Sequence, residues 1–399
     1  MKRRKRLLVL AGTHFQIPVI LYAKHAGHYV ITCDNKPNNP GHSLADEYIN
    51  ISTTDLDGVL EMARKNGIDG ILAYGTDPAA LTAAYVSEVL QLPGNSYNSV
   101  LTLSDKGLFR KFLIDNDFHA PKFNVVKSIE EANRFLQIVQ NNVFIKPVDS
   151  SGSKGITRLS SGENIASSFN NALEFSRKGE VIIEEEIQRE GPHIHGEAFV
   201  FNGELKFILL GDQYFSNTNL CAPMSTTLPS IEHSDFMDSV SKELVKLLKL
   251  VGFKTGGLNI EIIRSINNKI YFIEIGARNG GNLMPELACM ASGFNLPAAN
   301  VNASLNKEID FNFVYPSDLF CTQVILHSHQ NGKYNGVNFP EVFKDNLKTG
   351  LIYYDKGDNV HIYRGSQDVI GVLLFSFNNK DECNDLISFI RHNNIINLG

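Results

Sequence analysis

Two carboxylates and one arginine stand at spacings that could do chemistry. Residues 271–282, YFIEIGARNGGN, read as a buried strand that ends in Glu274, followed by Arg278 and a glycine turn at Gly280 and Gly281. Thirteen residues before Glu274, a second apolar strand, LNIEII at 258–263, carries Glu261. Paired as a hairpin, the two strands bring both carboxylates onto one face. Two such charges in an apolar setting are costly unless a cation sits between them. Mg²⁺ suits that position, because it takes oxygen ligands from one or two carboxylates together with substrate phosphates. Arg278 could then hold a developing negative charge.

Three stretches of chain must position these groups. From residue 7 to about 100, strands alternate with helices, the pattern of a parallel α/β sheet. The first turn, LAGTHFQIP, has one glycine where a dinucleotide fingerprint needs three. Gly75-Thr76-Asp77 follows a strand, where α/β folds place ligands, but it also reads as a helix N-cap ahead of Pro78. A further short strand is expected at 92–94.

From 101 to about 310 the chain turns β-rich. NVFIKP at 142–147 is a strand carrying Lys146, and DSSGSKG at 149–155 follows it. Such a loop leaves its backbone N–H groups free to face an anion, although it is no Walker P-loop. VIIEEEI at 181–187 runs from apolar into acidic, and GPHIHGE follows with His193 and His195. Residues 209–229 read as a polar substrate loop in which Asp212 and Tyr214 could meet an amine. From 311 to the end, short apolar strands and a closing helix at 380–392 suggest a small α+β domain packed on the rest.

Composition excludes several classes. A formal net charge of −6 gives no reason to expect nucleic acid. The five cysteines are scattered and form no C-x-x-C pair, so neither a disulfide framework nor a zinc site is indicated, which fits a reducing cytoplasm. The basic start, MKRRKR, is followed by an apolar run too short for a signal peptide. No stretch has the length of a membrane span.

The order Lys106, Lys146, glycine-serine loop, acidic strand end, Glu261, Glu274 and Arg278 resembles the ATP-grasp superfamily. The resemblance lies with the branch that carries an N-terminal parallel α/β (pre-ATP-grasp) domain. It implies three domains: 1–100, then the ATP-grasp proper at 101–310 with a lid at about 120–187, then a small α+β domain at 311–399. It also implies roles. Lys106 and Lys146 would bind phosphates, with Lys146 reaching the α-phosphate and the adenine edge. Ser151, Gly152, Ser153, Lys154 and Gly155 would close over the β- and γ-phosphates. Glu184, Glu185, Glu186 and Ile187 would form the hinge that pairs with adenine through backbone groups. Glu261 and Glu274 would hold Mg²⁺, and Arg278 would stabilise an acyl-phosphate and its tetrahedral intermediate.

Two positions depart from the family pattern. The usual E-x-N-P-R is Glu274-Ile275-Gly276-Ala277-Arg278 here, so the asparagine ligand is missing and Asn279 or water is expected to replace it. His193 stands near where many members place a glutamate on the ribose, with Glu197 further on. The E-x-G-A-R form is closer to the amino-acid ligases than to biotin carboxylase. The resemblance therefore implies a ligase using ATP with Mg²⁺, or Mn²⁺ in its place. A small-molecule carboxylate and an amine would be joined through an acyl-phosphate. No nucleic-acid or membrane partner is implied, and a homodimer is common in this branch. A bicarbonate-using carboxylase or carbamoyl-phosphate-forming enzyme is the second reading, and a non-catalytic nucleotide-binding module the third.

Overall fold

The computed structural model describes residues 3–216, 219–230, 234–315 and 318–399. The first unit holds strands β1 (Arg6–Leu10), β2 (Tyr29–Cys33), β3 (Glu47–Ile49) and β4 (Gly70–Ala73), all parallel in the order β3-β2-β1-β4. Helices α1 (Ile17–His25), α2 (Leu56–Asn66) and α3 (Asp77–Leu90) cross between or follow them. The local signals are plain: Asp55 caps α2 through the amide of Gly58, and Gly67 ends it in the left-handed region. The strand expected at 92–94 does not form. Gln91 ends α3 in the left-handed region, and residues 92–94 run as a turn into the next helix.

Helices α4 (Tyr97–Ser104) and α5 (Lys106–Asp115) lead into a second sheet. It contains β5 (Phe123–Val126), β6 (Val143–Pro147), β7 (Thr157–Leu159) and β8 (Val181–Glu185), in the order β5-β8-β6-β7. Helices α6 (Ile129–Ile138) and α7 (Ala166–Glu174) cover one face of it. This sheet and its helices occupy the stretch 120–187.

The floor is larger than the sequence suggests. Strands β9 (His193–Phe201), β10 (Glu204–Phe215), β11 (Pro223–Leu228), β12 (Gly256–Arg264) and β13 (Ile270–Gly276) continue into the C-terminal residues. There β14 (Phe320–His327) pairs with β11. Strands β15 (Gly332–Val337), β16 (Leu347–Ile352), β17 (Asn359–Val360) and β18 (Val369–Phe377) follow. One eight-stranded sheet results, β13-β12-β9-β10-β11-β14-β18-β16. The boundary placed at 310/311 is therefore no break in the sheet. Pairing between segments about 95 residues apart is a tertiary choice that local sequence does not announce. A small sheet of β17, β15 and β19 (Ile396–Leu398) closes the end.

Helix α8 (Ser234–Val251) lies under the floor. Phe236, Val240, Leu244 and Leu247 meet Leu258, Ile260 and Ile262 of β12 in one apolar core. Strand periodicity then sends Asn259 and Glu261 to the opposite face. Helices α9 (Met284–Ser292) and α10 (Leu296–Ser304) return toward the first sheet, where Val301 packs with Leu7, Val9 and Val19. Helix α11 (Lys380–His392) covers β18 through Leu386 and Ile390. No helix among the described residues is long and apolar enough to cross a membrane.

Candidate functional site

Glu261 and Glu274 are direct cross-strand partners in the β12–β13 hairpin, and a bulge follows Glu261. Both line a cleft of about 150 Å³. Burial and the neighbouring Glu274 push the Glu261 carboxyl up to about 7. Lys106, at the start of α5, reaches Glu274 at 3.5 Å and donates to the Ser150 carbonyl at 2.7 Å. Two carboxylates of this kind, with one cation to share, fit a divalent cation and give it oxygen ligands.

Arg278 lines the same cleft and is buried. Its guanidinium donates to the Asn279 carbonyl at 3.1 Å and pairs with Asp77. Asp77 opens α3, just past the C-terminal end of β4, and Thr76 makes no side-chain cap there. Of the two readings of Gly75-Thr76-Asp77, the side-chain cap does not form, and the Asp77 carboxylate pairs instead with Arg278, which lines the cleft. Arg278 and its surroundings hold the Asp77 carboxyl below its usual range, against burial, which is the largest influence and acts to raise it.

Beneath the turn lies a polar network that sequence spacing did not reveal. Glu197 is fully buried and accepts from the Gly280 amide at 2.8 Å, from Asn259 at 3.0 Å and from Asn279. Burial pushes it up to about 8 despite these donors. Asn259 also donates to His195 Nε2 at 2.9 Å, so the proton of that neutral ring sits on Nδ1, which faces Thr226 Oγ1 at 3.2 Å. Asn279 does not reach the carboxylate pair. It is fully buried, donates to Glu197, and accepts from Asn300 at 2.6 Å. As placed, it braces the turn and offers no oxygen to the Glu261–Glu274 pair.

A second cavity, of about 220 Å³, adjoins the first and shares Ser153, Ile156, Gln213, Pro223 and Glu261 with it. Lys146, Glu184, Glu185, Glu186, Ile187 and His193 line it. Lys146 donates to Glu184 at 2.6 Å, and Arg110 reaches the other Glu184 oxygen at 2.7 Å. Arg110 also donates to the Phe272 and Ile273 carbonyls at 3.2 and 2.7 Å. Burial raises the Glu184 carboxyl, but the two cations outweigh it and bring the carboxyl down to about 2. Arg110 thus ties the four-stranded sheet of β8 to the eight-stranded sheet of β13, a role that nothing in LFRKFL signals.

The acidic strand end is not a solvated edge. Glu186 takes a two-pronged bond from Arg158 at 2.7 and 2.8 Å, and Glu185 accepts from Asn141 at 2.8 Å. The amides of Glu185 and Glu186 already donate to the Lys122 and Asn142 carbonyls, at 2.9 and 2.8 Å. Of the hinge residues after Glu184, Ile187 alone has no backbone partner for its amide among the described residues. His193 donates from Nδ1 to the Gln213 amide oxygen at 3.1 Å, and burial lowers the ring to about 3. Its Nε2 lone pair is therefore an acceptor.

The loop 151–155 turns through left-handed residues at Gly152, Ser153 and Gly155 (φ 67°, 58° and 70°). It lies over the cleft and bonds across to the C-terminal part, where the Ser366 amide donates to the Gly152 carbonyl at 2.9 Å. Lys154 also lines the cleft, and burial lowers its ammonium group. The expected substrate loop at 209–229 is mostly the β10–β11 hairpin, and residues 217–218 of it lie outside the described residues. Gln213 and Phe215 face the cavities. Asp212 and Tyr214 point to the other face, where Asp212 accepts from Ser230 at 2.5 Å and Tyr214 stacks under Arg391. Neither lines the cleft or the adjoining cavity.

No family model matches the chain. The carbamoyl phosphate synthase large chain of Pseudothermotoga lettingae is 24% identical over an alignment of 308 residues that covers 69% of this chain and 26% of that one. The chain thus spans about a quarter of that relative's length. The L-amino acid ligase of Bacillus licheniformis superposes with a TM-score of 0.83 at 18% identity, covering 100% of both chains. The biotin carboxylase domain of the Hydrogenobacter thermophilus 2-oxoglutarate carboxylase, solved with MgADP and bicarbonate, gives 0.75 at 16% identity, over 100% of this chain and 92% of that one. The chain has the ATP-grasp fold.

Proposed function

We propose that this chain is an ATP-dependent ligase that joins a small-molecule carboxylate to an amine, releasing ADP and phosphate. One observation carries the reading: the facing pair Glu261 and Glu274 shares a cleft with Lys106 and Arg278, beside a second cavity lined by Lys146, residues 184–187 and His193. In this account Ile187 and the neighbouring hinge backbone take the adenine. Neutral His193 accepts a bond from a ribose hydroxyl. Lys146, Lys106 and the loop 151–155 carry the phosphates.

Glu261 and Glu274 would hold Mg²⁺ (or Mn²⁺), which supplies charge neutralisation between the phosphates and the attacking carboxylate. The chain's own groups do the rest. Lys106 and Lys154 screen the approach of one anion to another. The loop, clamped on Ser366, excludes water from the mixed anhydride. Arg278 holds the oxyanion as the amine adds to the acyl carbon. The reading needs no side-chain nucleophile.

A trapping experiment tests it. The protein is given MgATP, hydroxylamine and a pool of amino acids, sugar acids and dicarboxylates. A hydroxamate formed in step with ADP supports the reading and identifies the acid. ADP release that depends on bicarbonate, without hydroxamate, overturns it in favour of a carboxylase.

A further inference from the structure

A cavity of about 310 Å³ lies against the reaction cleft and has no role in the account above. It opens between α3, helices α4 and α5, and the end of β13. Its size is at the lower end of small-molecule pockets, about 300–1,000 Å³. Lys106, Ser151 and Glu274 belong to its wall and to that of the cleft. Asp77 marks the passage between them, since it lines the cavity and pairs with Arg278 of the cleft.

The cavity's chemistry favours one kind of guest. Pro78, Leu81, Leu101, Leu103 and Ile275 form its body. Its charges are already matched. Lys178 pairs with Asp105, Arg177 stands 3.6 Å from Asp149, Lys106 3.5 Å from Glu274, and Arg278 holds Asp77. A charged group entering the body would find no free partner. An apolar group would leave water without disturbing any pair, which is favourable by about 25 cal/mol per Å² buried. The wall adds one unused hydrogen-bonding group: Thr82 Oγ1 is buried and has no partner among the described residues.

We infer that this cavity holds the amine substrate, with an apolar side group against Pro78, Leu81 and Leu101 and its nitrogen directed past Asp77 toward Arg278. The inference rests on the ligase reading and narrows it to primary amines that carry an apolar group. The Asp77 carboxylate accepts one N–H and aims the nitrogen lone pair at the acyl carbon. The C–N bond forms as the C–O bond to phosphate breaks. Phosphate leaves with that electron pair and takes the surplus amine proton.

The experiment uses the acid found by trapping, with hydroxylamine, ammonia, ethylamine, isobutylamine and benzylamine as nucleophiles. The wild-type chain should gain at least tenfold in kcat/KM from ammonia to isobutylamine. Leu81→Phe should raise the KM for isobutylamine at least tenfold and that for hydroxylamine, which is too small to need the cavity, less than twofold. Leu101→Ala should move the preference toward benzylamine, which keeps the test open if the first variant folds poorly. A flat amine series, or an equal loss for isobutylamine and hydroxylamine, overturns the inference. A raised KM for the acid alone also overturns it, because the cavity would then hold the acid. If no acid in the pool gives a hydroxamate, the ligase reading falls first and the inference with it.

Discussion

Glu261 and Glu274 stand directly opposite each other on adjacent antiparallel strands, both facing one cleft. Like charges in cross-strand register destabilise a sheet, and here burial adds to the penalty. The arrangement is explicable as a cation site whose stability depends on its ligand. Replacing either residue with glutamine should lower ADP formation by at least about 100-fold. It should leave the melting temperature of the unliganded protein unchanged or higher. It should also abolish the rise in melting temperature on adding MgATP, which ligand linkage gives to a competent site. Thermal scans with and without MgATP check all three.

Glu184 carries a different burden. Its carboxylate is shared by Lys146 and the fully buried Arg110. Glu184→Gln leaves a buried guanidinium without its counter-charge and should destabilise the chain by about 3–5 kcal/mol, read by urea unfolding at pH 7. The sign with pH follows from the carboxyl being lowered from 4.5 to about 2 in the fold. The stabilisation is complete above the unfolded value and is lost as pH falls from about 4.5 toward 2. The variant should lack that part of the acid sensitivity.

How much of this site the sequence shows depends on whether neighbours in space are neighbours in the chain. The hairpin of 258–263 and 271–276 follows from alternation and a short turn, so Glu261, Glu274 and Arg278 were legible together. Lys146 and the loop after it were legible for the same reason. Arg110 has no role in the sequence reading, Glu197 appears there only beside the ribose position, and Asp77 only as part of a ligand turn or a helix N-cap. Each acts on a partner far along the chain: Arg110 on Glu184, Glu197 on Gly280, Asp77 on Arg278. Asn279 was misread because its position after Arg278 says nothing of the buried Glu197 and Asn300 that claim its side chain.

His193 is neutral and lines the cavity beside the cleft, where its Nε2 is an acceptor. His193→Ala should raise the KM for ATP about tenfold, about 1.4 kcal/mol, and leave the KM for the acid unchanged in steady-state assays. Burial lowers His193 and His195 from 6.5 to about 3 and about 4. The unfolded chain therefore takes up protons that the fold refuses, and both residues make stability decline as pH falls below about 6.5. Ring resonances that do not titrate down to pH 5 in NMR would verify the neutral state.

Gly152 lies in the left-handed region, and a Cβ there would overlap Ser366 Oγ. Gly152→Ala should loosen the loop where it meets the C-terminal part. Coupled turnover should fall several-fold, while a larger share of ATP is hydrolysed without product. The ratio of ADP to amide product measures this directly, and a ratio that stays at the wild-type value would count against the loop as a water shield.

The most direct measurement of the central claim is isotope transfer. The acid identified by trapping is labelled with ¹⁸O in its carboxylate and turned over with MgATP and amine. Passage through an acyl-phosphate places one ¹⁸O in each phosphate released. Phosphate free of label would mean that the carboxylate never attacks ATP, and the ligase account would be wrong.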